Sequence, residues 1–262
     1  MKFSAKSLFL GLLVAVFANG GEVSIAAAAN TTYAFDEIKA EFAKAHPEIT
    51  LNVSLGASGA LSTQIKNGAP FDIFMAADMD FANNLFKDGF AINEAVTYAK
   101  GKVAMFSVRD LNLTQGLEIL KDEKVKSISI ANPKTAPYGA ASVAAFQKAG
   151  IYDTIKAKIV EAKSIGDALS QAMSAADVGF VAASSMYSPK MAEYKEGVNF
   201  VLVDSSLYDP IAQGIVILKK AENNAEAKAF YDFILGEKGS LEMKERLIIT
   251  VILRSGSANR WR

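Results

Sequence analysis

With 262 residues, 51% of them hydrophobic and 21% charged, the chain has the composition of a globular protein of one or two domains. Lysine plus arginine and aspartate plus glutamate number 28 each, so no overall field recruits nucleic acid or an anionic membrane. The absence of cysteine excludes disulfides, thiolate metal sites, thiol nucleophiles and a lipid-modified cysteine, and the single histidine, His46, argues against Ser–His and multi-histidine metal chemistry.

The first twenty residues read as a secretory signal. Lys2 and Lys6 give it a basic start, residues 8–17 (LFLGLLVAVF) form an apolar run too short to span a bilayer, and Ala18-Asn19-Gly20 offers small residues for cleavage. No later stretch is apolar for long enough to cross a membrane, which predicts an exported, unanchored, soluble protein, periplasmic in a bacterium with two membranes. Next comes a strand at 23–28, then a helix at 32–45 with Phe35, Ile38, Phe42 and Ala45 on one face and Pro47 ending it. Residues 49–55 alternate as a strand, with Leu51, Val53 and Leu55 facing one way. A helix at 59–66, a strand at 71–76 and a helix at 81–87 closed by Gly89 follow. Further strands are predicted at 103–108, 127–131, 178–182, 200–203 and 215–218, and further helices at 138–149, 165–175 and 224–235.

Strands separated by helices predict an α/β fold with mainly parallel sheets flanked by helices. One sheet accommodates these elements, but extended segments near 99–103 and 202–206 look like two crossings between lobes. The expected division is a signal at 1–20, a first lobe at 21–101 completed by 206–239, a second lobe at 102–205, and an atypical tail at 240–262.

Ligands of open α/β sheets sit beyond the carboxyl ends of the strands, at helix N-termini. Four strand-to-helix turns share one character: Ala29-Asn30-Thr31-Thr32, Gly56-Ala57-Ser58-Gly59, Pro137-Tyr138-Gly139 and Ser164-Ile165-Gly166. None contains lysine or arginine. Capping alone explains any single turn, because Asn30, Ser58 and Ser164 are ordinary N-cap types. Four such turns, two in each expected lobe, point to an anion held in a cleft. A fully deprotonated tetrahedral oxyanion presents only acceptors, so its site should present only donors. Charge-assisted hydrogen bonds contribute roughly 1.5–3 kcal/mol each. A protonated phosphate wants one acceptor instead; Asp167, read here as an early-helix acid, and the Asn30 carboxamide oxygen are the candidates.

Enzymatic motifs fit poorly. Residues 56–60 (GASGA) lack the last glycine of a G-x-S-x-G elbow, although an exported α/β hydrolase using Ser58 stands as a rival of another class. There is no Walker A sequence and no G-x-G-x-x-G. Tyr33, Phe35 and the phenylalanines of 71–90 read as core, residues 121–126 as a solvated loop, and Asp72 and Asp78 as capping or hinge contacts. A protein-interaction or chaperone module, which should not bind small anions, is a third reading.

At these turns the sequence resembles the molybdate-binding proteins of bacterial ABC importers, a branch of the type II periplasmic binding proteins. The resemblance is carried by VSIAAAANTTYAFDEI (23–38), SLGASGALSTQIKNGAPFDIFMAAD (54–78), ANPKTAPYGAASVAAF (131–146) and SIGDALSQ (164–171), and it extends from about residue 22 to 239. It implies two α/β lobes joined by hinge strands that close on molybdate or tungstate, with no cofactor and no direct metal ligand. It also implies a monomer that delivers the anion to a membrane permease, or, as an alternative, a binding protein of the same fold for sulfate or phosphate. Asn30, with Ala29 beside it, matches the family's first donor, and Ser58 its second. Tyr138 and Ile165 match the two positions that donate through the backbone. Two departures stand out: Ala182 occupies the place of a tyrosine whose hydroxyl reaches the anion in many members, and residues 240–262 do not match the family's ending.

Overall fold

The structure is a computed structural model and describes residues 20–236; the expected signal, apart from Gly20, and the atypical tail lie outside the described residues. From the N-terminal side run β1 (Glu22–Ala28), α1 (Thr32–Ala45), β2 (Thr50–Gly56), α2 (Ser58–Lys66), β3 (Ile73–Met75), α3 (Met79–Lys87) and β4 (Val96–Gly101). The chain then builds β5 (Val103–Phe106), β6 (Ile128–Ala131), α4 (Pro137–Lys148), α5 (Tyr152–Ile155), β7 (Ile159–Ala162), α6 (Ile165–Ser174), β8 (Val178–Ala182), α7 (Ala183–Met186) and β9 (Phe200–Leu202). It returns through β10 (Ile211–Ile217) and closes with α8 (Ala225–Leu235).

Two five-stranded sheets result, ordered β2-β1-β3-β10-β4 and β7-β6-β8-β5-β9. Both are mixed rather than mainly parallel. β1 is parallel to β2 and β3, and β6 to β7 and β8, whereas β10 and β5 are each antiparallel to both neighbours. The reason lies in the crossings. β5 and β10 each start where the chain has just passed from the other sheet, so they run away from the junction at which β1, β2, β6 and β7 end.

Successive residues of β1 serve opposite faces, as the two-residue period of a strand requires. Val23, Ile25 and Ala27 pack with Phe35, Ile38 and Phe42 of α1 and Phe230 and Ile234 of α8. Ala26 packs on the other side with Leu61 and Ile65 of α2 and Ala82 and Leu85 of α3. The second sheet is covered likewise, by Tyr138, Ala145 and Phe146 of α4 on one face and by Leu169 and Ala172 of α6 on the other. Such double coverage is why the central strands are apolar throughout. At the edge the cover fades: along β2, Leu51 is buried, Val53 half-buried and Leu55 45% exposed, so the expected inward face of that strand holds for its first half only.

Candidate functional site

The register of the sheets brings the four turns together. Ala28 of β1 lies opposite Gly56 of β2, and Ala131 of β6 opposite Ala162 of β7, so in each sheet two parallel strands end side by side. The helices that follow therefore open toward the same junction. A small cavity lies there, lined by Ala29, Asn30, Ala57 and Ser58 from one lobe and Ala136, Tyr138 and Ile165 from the other. All five residues singled out from the sequence, Ala29, Asn30, Ser58, Tyr138 and Ile165, are thus brought to one place. The described residues that line it include no lysine, arginine, histidine, aspartate or glutamate.

Three of the four helix starts facing this cavity have no side-chain cap. The N-cap positions before the 3-10 turn Ala29–Thr31, before α2 and before α4 are Ala28, Ala57 and Ala136, and none supplies a side-chain hydrogen bond. Alanine is among the poorest N-cap residues because it leaves the first-turn N–H groups unsatisfied. Away from the cavity the same chain caps conventionally, with Asp78 accepting from Phe81 N at 2.9 Å and Asn224 from Ala227 N at 2.9 Å. Some first-turn donors at the junction find backbone partners: Gly59 N donates across the lobes to Thr135 O at 2.9 Å, and Gly139 N to Ala136 O at 2.9 Å.

Of the three N-cap-type residues at the turns, only Ser164 acts as one, accepting from Asp167 N at 3.2 Å while its Oγ lies 2.8 Å from the Asp167 carboxylate. Asp167 is not among the cavity-lining residues. Ser58 stands one position inside its helix, and its Oγ accepts from Ala77 N at 2.8 Å, which leaves the hydroxyl proton to donate. Asn30 is 2% exposed and does not cap; its Nδ2 donates to Gln213 Oε1 at 2.9 Å, and its Oδ1 is buried with no partner among the described residues.

Gln213 was not visible as a site residue in the sequence, and neither was Tyr98. Gln213 sits on β10, fully buried; its Oε1 also accepts from Tyr98 Oη at 2.9 Å, and its Nε2 donates to Tyr138 Oη at 3.2 Å. The one signal it offered is a lone amide inside the apolar run 211–217 (IAQGIVI). The Tyr138 ring thus reaches from the second lobe into the hinge, where a Cβ on Gly101 would lie only 2.1 Å from its oxygen. Burial pushes the Tyr138 phenol far above its ordinary pKa, the neighbouring Tyr208 adds to this, and hydrogen bonds from Gln213 and Asn30 offset it in part. Tyr98 is pushed up as well, by burial and then by Tyr138, so both phenols hold their protons at any physiological pH.

Other residues singled out from the sequence are not among those that line the cavity. Ala182 is buried at the end of β8 opposite Val103 of β5, beside the hinge. Asp72 accepts from Ser24 N at 2.8 Å and lies 3.3 Å from Lys220 Nζ, holding strands in place. His46 follows α1, its ring stacked on Phe42 at 4.7 Å, and is not among the cavity-lining residues. Among the described residues no group of three or more His, Cys, Asp or Glu side chains is placed to hold a metal ion, and no helix is long and apolar enough to cross a membrane.

Comparison with known proteins agrees with this geometry. The model of the bacterial extracellular solute-binding protein family matches residues 23–242. The molybdate-binding protein ModA of Azotobacter vinelandii is 39% identical over 251 residues, covering 93% of this chain and 97% of that protein. ModA of Rhodobacter capsulatus is 37% identical over 236 residues, covering 89% and 90%. The solved structure of the periplasmic molybdate-binding protein of Azotobacter vinelandii superposes with a TM-score of 0.78 at 33% identity, over 85% of this chain and 96% of that one. The chain belongs to the bacterial extracellular solute-binding protein family, in company with these molybdate-binding relatives.

Proposed function

We propose that this protein captures molybdate or tungstate in the periplasm and delivers it to the membrane permease of an ABC importer. The observation that carries the reading is the junction itself: helix starts from both lobes, three with alanine N-caps, opening onto one cavity without a charged side chain. Uncapped N–H groups and the positive ends of helix dipoles suit a dianion that has only acceptors to offer. Asn30 and Ser58 contribute side-chain donors, Ala29 supports the first turn, and Tyr138 and Ile165 donate through the backbone. The lobes correspond to 21–101 with 206–239, and to 102–205. Closing them on the anion couples hinge motion to binding, so both draw on one free energy. No bond is made or broken and no cofactor takes part. The mature protein acts as an unanchored monomer after removal of its signal.

Calorimetry of the mature chain against molybdate, tungstate, sulfate and phosphate tests this. Heat with molybdate and tungstate is expected. Heat with sulfate or phosphate alone would reassign the specificity, and hydrolysis of esters lost on Ser58→Ala would replace the reading with a hydrolase.

A further inference from the structure

We infer that Gln213 is a positioning residue that decides which end of the Asn30 carboxamide faces the cavity, and that the two amides turn over together as a fully deprotonated oxyanion enters. The inference rests on the oxyanion reading above and deepens it. Its starting point is an imbalance. With Nδ2 of Asn30 given to Gln213 Oε1, the atom left over is Oδ1, a buried acceptor without a partner among the described residues, on a residue that lines the cavity. An acceptor is the wrong group to offer molybdate. Tyr98 already donates to the same Gln213 oxygen, and Tyr138 receives the Gln213 nitrogen.

Oxygen and nitrogen of a carboxamide exchange places by a half-turn about the terminal bond, leaving every heavy-atom position unchanged. Turned over singly, Asn30 would set its oxygen against the oxygen of Gln213. Turned over together, the two amides keep the Asn30–Gln213, Gln213–Tyr98 and Gln213–Tyr138 contacts, at the loss of the hydrogen bond that Asn30 gives Tyr138. Gln213 Nε2 then donates to Asn30 Oδ1 and to Tyr98 Oη, and the Tyr98 hydroxyl donates instead to Ala76 O, 3.3 Å away. Tyr138 donates to Gln213 Oε1, and Asn30 Nδ2 becomes the outward group with protons to give an anion. The first orientation suits an anion that still carries a proton for Oδ1 to accept; the second suits molybdate or tungstate. Gln213, 183 positions along the chain from Asn30, thereby sets the proton-bearing state of the ligand that the first lobe accepts.

The test is a double-mutant cycle measured by molybdate calorimetry on the full mature chain, with Asn30→Ala, Gln213→Met and the pair, each checked for folding by thermal melting without ligand. Asn30→Ala and Gln213→Met are each expected to weaken molybdate binding about tenfold or more. The double variant is expected to bind within about twofold of Asn30→Ala, because Gln213 acts only through Asn30. Multiplying losses, or wild-type affinity in Gln213→Met, would overturn the inference. Absence of molybdate binding by the wild type, or unchanged affinity in Asn30→Ala, would instead bring down the oxyanion reading beneath it. Should Gln213→Met fail to fold, side-chain amide nitrogen NMR of the wild type decides: both the Asn30 and Gln213 signals must move on molybdate addition, and a Gln213 signal that stays put overturns the inference.

Discussion

Ser58 shows how one atom serves two partners. Its oxygen takes the Ala77 N–H, and its proton is left for a ligand. Replacing it with alanine removes a donor to a charged group and strands a buried backbone donor. Ser58→Ala is therefore expected to weaken molybdate binding by about 1–3 kcal/mol and to lower the melting temperature of the ligand-free protein as well; calorimetry and a thermal scan read the two effects separately. At this scale the sequence was legible in placement: Asn30, Ser58, Tyr138 and Ile165, picked from turns and from the family resemblance, all line the one cavity. It was silent where a partner arrives from far along the chain. Nothing around Tyr98 or Gln213 announces that their side chains meet, since that meeting is made by the pairing of β10 with β4.

Among elements, the alanine N-caps present a stability that the protein has left unused. Ala136 has extended backbone angles of φ −128° and ψ 114°, which a capping serine adopts without strain. Ala136→Ser is expected to stabilise the ligand-free protein by about 0.5–1 kcal/mol while weakening molybdate binding, because the new hydroxyl competes for the same first-turn donors. Melting with and without molybdate separates the two. A second expectation concerns Asp177, between α6 and β8. Burial raises the affinity of its carboxyl for a proton, but hydrogen bonds from Lys126 N, Ser127 N and the Ser127 hydroxyl, with the charge of Arg109, outweigh this and hold its pKa below the ordinary carboxylate value. A carboxyl depressed in the folded state stabilises the fold above its unfolded pKa, and the contribution is lost as pH falls through the folded value. Asp177→Asn is thus expected to reduce stability at pH 7 and to flatten its decline below about pH 4, as followed by urea unfolding across pH. Long amphipathic helices such as α1 were readable because their period is strong. β7 was not, since Ile159–Ala162 is a four-residue edge strand with Glu161 in it, too short for a pattern. The antiparallel half of each sheet was hidden too: crossings were expected near 99–103 and 202–206, but alternation of strand and helix does not record the direction of the strand that follows each one.

For the whole molecule, closure rests on contacts of very different worth. The Gly59–Thr135 backbone hydrogen bond at 2.9 Å lies beside the cavity, whereas the Lys190–Asp36 ion pair at 2.8 Å lies at the rim, with side chains 63% and 69% exposed. An exposed pair in water contributes little. Asp36→Asn is expected to change molybdate affinity by less than about threefold, and by less still in high salt. A larger change would make the rim a latch in its own right.

The discontinuity of the first sheet also dictates an order of assembly. The second sheet is built wholly from β5 to β9, one unbroken stretch, and lacks nothing once β9 has formed. The first waits for β10 to fill the slot between β3 and β4, and for Phe230 and Ile234 of α8 to cover the apolar face of β1. A nascent chain therefore carries its N-terminal strands as an incomplete half until its last described elements arrive. Gln213 travels on that final strand, so the polar cluster behind Asn30 is among the last parts of the molecule to come into being.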